Sequence, residues 1–82
     1  MDINYELYKV FYHVATTLSF SEASKQLFIS QSAVSQSIKV LEKKLGITLF
    51  IRSTKRVRLT PEGETLLRHI EPAINLIQRG EA

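Results

Sequence analysis

Between Ser30 and Gly46 the chain carries a pattern that one kind of element satisfies. Val34, Ile38, Leu41 and Leu45 fall at i, i+4, i+7 and i+11, which aligns them on one face of an α-helix and splits them between the two faces of a strand. Ser30 offers a hydroxyl acceptor to the free amides of the first turn, and Gly46 suits the left-handed conformation that ends a helix. Lys43 and Lys44 complement the dipole in the last turn. An amphipathic helix over about 31–45 is therefore expected, and it needs other elements to cover its apolar stripe. Upstream, Leu7, Val10, Phe11, Val14 and Leu18 recur at spacings of three and four, so Tyr5 to Leu18 reads as a first helix with Asn4 as its cap. Ser19 or Ser21 can cap a short second helix running to about Leu27, with Ala23 and Leu27 inward, and Phe28-Ile29-Ser30 makes a brief turn.

After Gly46 the period changes from helical to extended. Thr48-Leu49-Phe50-Ile51 and Val57-Arg58-Leu59 are β-prone, and Arg52-Ser53-Thr54-Lys55-Arg56 between them reads as the basic tip of a hairpin. Thr60-Pro61-Glu62-Gly63-Glu64 then starts a fourth helix, with Thr60 as cap and Pro61 at the first helical position. It should run to about Gln78 or Arg79, with a bend or break at Pro72, whose ring removes the bond to the Arg68 carbonyl. The expected fold is mainly α: a winged helix-turn-helix of three helices plus a two-stranded β wing over 1–60, followed by a long linker or dimerisation helix over 61–82. At 82 residues such a chain buries only roughly 60% of the surface it exposes when unfolded.

The composition narrows function by exclusion. Without cysteine there is no disulfide, thiolate metal site or thiol nucleophile. His13 and His69 lie far apart with no ligand cluster beside them, and read as helix-surface or packing residues. The three glycines, Gly46, Gly63 and Gly80, form no phosphate loop, and neither GxSxG nor HExxH occurs. The amino terminus has no basic segment leading into an apolar core, and no apolar run approaches the ~18 residues that span a bilayer. The expectation is a soluble cytoplasmic protein that is not an enzyme, with no cofactor or metal in this chain and no membrane partner.

Charge points to the partner. Residues 1–29 carry a net −1, residues 30–60 a net +6 and residues 61–82 a net −2. A basic middle is the electrostatic footprint expected for a polyanion, although a solvated basic face would give the same count. The third helix separates the two. Its outward positions, Gln31, Ser32, Ser35, Gln36 and Lys39, hold short or amide side chains able to donate to and accept from base edges, plus one cation. A merely solvated face carries Glu and Lys in i, i+4 pairs, whereas no acid occurs from Ser30 to Lys39. Arg52, Lys55 and Arg56 at the hairpin suit phosphates or a narrow minor groove. Phe11, Phe20 and Phe50 read as core residues, not as stacking platforms.

The ordered set Leu7, Phe11, Val14, Ser19-Phe20-Ser21-Glu22-Ala23, Leu27, Ser30 through Ile38, Leu41-Glu42, Leu45-Gly46, Leu49-Phe50, Arg52 and Leu59-Thr60-Pro61-Glu62-Gly63 resembles the amino-terminal domain of the LysR-type transcriptional regulators of bacteria. The resemblance covers residues 3 to about 79. It implies a winged helix-turn-helix whose linker helix dimerises, and a larger carboxy-terminal domain that would bind a small-molecule effector and is absent from this chain. A fragment of a longer regulator or a stand-alone form would both fit. By the same resemblance Gln31, Ser32, Ser35 and Gln36 match base-reading positions, and Arg52, Lys55 and Arg56 match wing positions near the backbone or minor groove. Ser21 and Ser30, near the starts of the second and third helices, complete the candidate DNA-contacting set with Lys39. The family often has proline at Ser32 and arginine at Gln36, so operator preference does not carry over. Ser24 replaces a common alanine, which is tolerated if its hydroxyl bonds back to a carbonyl.

The expected partners are double-stranded DNA bearing an inverted repeat and a second copy of the chain, or a tetramer in a full-length regulator. Leu66, Ile70, Ala73, Ile74 and Ile77 form the expected dimer stripe, widened by Leu67 and Leu76. One side would pack on the first helix and the other stay exposed, unless an effector domain covers it. Two other readings stay open: a winged-helix module whose basic ribbon meets an acidic protein, and an RNA-binding winged helix, which the lack of exposed aromatics disfavours.

Overall fold

The computed structural model describes residues 4–54 and 56–81 and runs α1 (Tyr5–Thr17), α2 (Phe20–Leu27), α3 (Gln31–Leu45), β1 (Phe50–Arg52), β2 (Val57–Leu59) and α4 (Pro61–Glu81). Each of the first three helices begins on a side-chain oxygen: Asn4 accepts from the Leu7 amide at 3.3 Å, Ser19 from Glu22 at 3.0 Å and Ser30 from Ala33 at 3.1 Å. Ser19, not Ser21, is thus the cap of α2. Each also ends on a left-handed residue, Leu18, Phe28 and Gly46, at φ 53°, 57° and 69°. Only glycine takes this conformation without a Cβ penalty, roughly 1–2 kcal/mol for the others. Leu18 corrects the sequence reading. It is the cap rather than the last rung of the α1 stripe, its amide bonds the Val14 carbonyl at 2.7 Å, and its side chain is 45% exposed.

The stripes of α1, α2 and α3 converge on one core in which Phe11, Val14, Ala23, Val34 and Leu49 are fully buried. Phe11 and Phe20 lie 5.5 and 5.9 Å from the Phe50 ring, centroid to centroid, so the start of the wing is anchored in the helical core as the sequence led us to expect of these aromatics.

The hairpin is antiparallel, with Phe50 opposite Leu59, Ile51 opposite Arg58 and Arg52 opposite Val57. Its first strand starts two residues later than the β-prone run at Thr48 suggests. The reason is Glu42, whose Oε2 accepts from the amides of Leu49 at 2.7 Å and Phe50 at 3.4 Å, while the Leu49 carbonyl accepts from Thr60 at 3.0 Å. The carboxylate thus takes the Leu49 amide, and the bond from Thr60 to the Leu49 carbonyl is the last of the ladder, beside the Phe50–Leu59 pair.

Thr60 joins the wing to α4. Its hydroxyl donates to the Thr48 carbonyl at 2.6 Å and accepts from the Gly63 amide at 2.9 Å. The helix then runs through Pro72 to Glu81 as one element, so of the bend or break expected at Pro72 the break does not occur. Pro72 and Arg68 both lie on the exposed side, where water can bond the carbonyl that proline leaves free.

The residues of the expected dimer stripe are divided, and Ile74 is corrected to a buried position. Leu66, Leu67 and Ile70 pack against the core and Ile74 is only 2% exposed, so Ile70 and Ile74 serve the chain's own interior. Because α4 lies along α1, one helical face carries Leu67, Ile70 and Ile74 at i, i+3 and i+7. Ala73, Leu76 at 66% and Ile77 at 42% remain exposed.

Candidate nucleic-acid interface

Burial of Val34, Ile38 and Leu41 dictates what α3 presents outward. Gln31, Ser32, Gln36 and Lys39 are exposed, and Ser35 is half-buried on the flank nearest the wing. The Ser30 and Ser32 hydroxyls lie 3.2 Å apart, so the exposed Ser30 is shared between capping and Ser32. The first acid in α3, Glu42, has its carboxylate turned to the Leu49 and Phe50 amides. The amino-terminal half of α3 therefore offers neutral hydrogen-bonding groups, a capped helix start and one lysine, with no anion to repel a phosphate.

Arg52 is placed differently from the sequence reading. It closes β1 instead of forming the tip. Alternation along the strand puts it on the same side as Phe50, and its guanidinium carbon lies 3.6 Å from the centroid of the Phe20 ring. From there Nη2 donates to the Ser35 hydroxyl oxygen at 3.0 Å. A cleft lined by Phe20, Gln31, Ser32, Ser35 and Arg52 thus lies between α3 and the wing.

The Ser53 amide donates to the Arg56 carbonyl at 3.0 Å and the Arg56 amide to the Ser53 hydroxyl at 3.2 Å, which ties the two strands together beyond their last pair. Arg56 is exposed there, and Lys55 lies outside the described residues. Arg58, also exposed, was not among the sequence candidates. It faces the side of the hairpin opposite Arg52, as its pairing with Ile51 and the period of two require.

Ser21 is exposed in the first turn of α2, where its carbonyl accepts the Ser24 hydroxyl at 2.7 Å, the back-bond expected of a serine at that position. Both histidines have helix-surface partners: His13 Nδ1 lies 2.6 Å from Gln26 Oε1, and His69 Nδ1 2.8 Å from the Thr65 carbonyl. Among the described residues no group of three or more His, Cys, Asp or Glu could hold a metal ion, and no helix is long and apolar enough to cross a membrane.

Residues 5–64 match the family described as bacterial regulatory helix-turn-helix proteins, lysR family. The chain is 44% identical over 70 residues to the HTH-type transcriptional regulator HdfR of Yersinia pestis (strain Pestoides F), a match covering 85% of this chain and 24% of that protein. The chain therefore spans about a quarter of the length of the curated relative it matches. Its fold is similar to that of oxidized OxyR from Corynebacterium glutamicum, with a TM-score of 0.89 and 32% identity over 96% of this chain and 26% of that one. It is similar also to the BenM DNA-binding domain in complex with catB site 1 DNA, with a TM-score of 0.85 and 31% identity over 96% of this chain and 89% of that one.

Proposed function

The chain belongs to the lysR family of bacterial regulatory helix-turn-helix proteins, and from that premise we propose that it reads a specific double-stranded DNA sequence as a dimer on an inverted repeat. The amino-terminal half of α3 enters the major groove, where Gln31, Ser32, Ser35 and Gln36 face base edges and Lys39 a phosphate. Arg56, Arg58 and Lys55 hold the wing to the backbone or the adjacent minor groove. Ser21 and Ser30 approach the backbone from the starts of their helices. Residues 1–60 do the reading, and 61–82 pair two copies through the exposed Ala73, Leu76 and Ile77. No cofactor takes part, and the site of action is the bacterial cytoplasm, on the nucleoid.

The observation that carries this reading is the α3 face itself: exposed amide and hydroxyl side chains without an acid, beside a cationic hairpin. A module built to meet an acidic protein needs the cations but not the ordered donors and acceptors. Selection of duplexes from a random pool, followed by sequencing, tests it. The expected result is a recurring motif with two-fold symmetry; recovery of an unbiased pool would overturn the reading.

A further inference from the structure

We propose that Arg52 is a positioning residue that occupies one acceptor lone pair of Ser35 and leaves its hydroxyl proton to the DNA, and so biases the serine toward a base edge that accepts. The inference rests on the major-groove reading above. A serine hydroxyl has one proton and two acceptor lone pairs, and its rotor ordinarily lets it pair with either kind of base edge. A guanidinium can only donate. With Arg52 Nη2 3.0 Å from Ser35 Oγ, the serine oxygen is the acceptor, and the hydroxyl proton must point elsewhere.

That proton has no acceptor within the chain among the described residues. Other helical hydroxyls spend theirs on a carbonyl of the preceding turn, as Ser24 does on Ser21 and Thr16 on Tyr12, whereas Ser35 makes no such bond. It lies instead beside the cleft between α3 and the wing, with Gln31 and Ser32. The arginine is biased toward this position by its guanidinium, stacked 3.6 Å from the centroid of Phe20, which is itself packed on Phe50. A charged donor on the serine oxygen also polarises the O–H outward. Guanine O6 and N7, thymine O4 and adenine N7 accept such a proton, whereas the cytosine amino group presents only donors.

Duplexes selected by the wild-type chain provide the test. Each base pair is varied in turn, and the position whose ranking changes with Ser35→Ala identifies the pair that faces Ser35. There the wild type should favour guanine or thymine over cytosine by about tenfold, the scale of one hydrogen bond that is made or left unmade. Arg52→Met keeps a side chain over Phe20 but removes the donor, and should bring that ratio close to one while rankings elsewhere persist. Adding it to Ser35→Ala should change the ratio no further. Arg52→Lys retains a donor and should retain the preference. The inference fails if Arg52→Met weakens every duplex alike with the ratio unchanged, which would make the arginine a plain phosphate contact, or if Ser35→Ala alters no ranking. A wild type that ranks no duplex above another would remove the DNA-reading proposal as well.

Discussion

Gly63 fixes how closely α4 approaches the start of the wing. A Cβ at that position would sit inside contact distance of the Leu49 carbonyl oxygen and 2.9 Å from a Leu59 methyl, and the first of these is backbone that cannot swing aside. Alanine favours a helix over glycine by about 1 kcal/mol. Overpacking against fixed backbone costs about 1–3 kcal/mol, and Thr60, which ties both segments together, would move with it. Gly63→Ala should therefore lower the melting temperature by several degrees, since about 1 kcal/mol shifts a domain of this size by roughly 4–8 °C; calorimetry showing an unchanged or higher midpoint would contradict the contact. At Gln31 the effect should fall on recognition instead. The side chain is exposed and makes no bond within the chain among the described residues, so Gln31→Ala should leave the fold intact. It should relax selectivity at one or two base pairs, by about 1–3 kcal/mol if the lost contact is bidentate. Equal selectivity of the variant across all operator mutants would remove Gln31 from the reading set.

The wing as an element holds register more than it reads sequence, because the exposed cations Arg56 and Arg58 project from a short hairpin whose inner end is bound to the core. Arg56→Ala should weaken binding to every duplex alike and reduce the magnitude of the salt slope by about 1. A slope identical to wild type would place that arginine off the DNA. The elements differ in how far the sequence reveals them. The ends of α3 are written locally, in Ser30, Gly46 and a stripe of period 3.6, and the structure reproduces them. The start of β1 is not, since it depends on a carboxylate seven residues upstream reaching the Leu49 amide. Arg52 was legible only as a cation of the hairpin: its place at the end of β1 and its engagement with Ser35, 17 residues away, required the helices and hairpin to be in place.

At the scale of the whole molecule, the unsettled surface is the outer face of α4. Sequence periodicity showed more apolar residues there than one domain needs, yet it could not divide them between the chain's own core and a partner, because that depends on how α4 rolls against α1. With Ile74 inside and Leu76 outside, substitutions at the two positions should separate. Leu76→Glu should weaken self-association while circular dichroism stays native, whereas Ile74→Glu, which buries an unpaired carboxylate, should unfold much of the chain. Sedimentation equilibrium distinguishes them: a Leu76→Glu variant that associates as the wild type does would leave the proposed pairing without its surface. The central claim is that this chain tells one DNA sequence from another. The most direct measurement is a titration of the wild-type chain against its selected duplex and a shuffled duplex of equal length and composition, at one physiological salt concentration. The account predicts affinities separated by roughly 10³-fold or more; equal affinities for the two duplexes would contradict it.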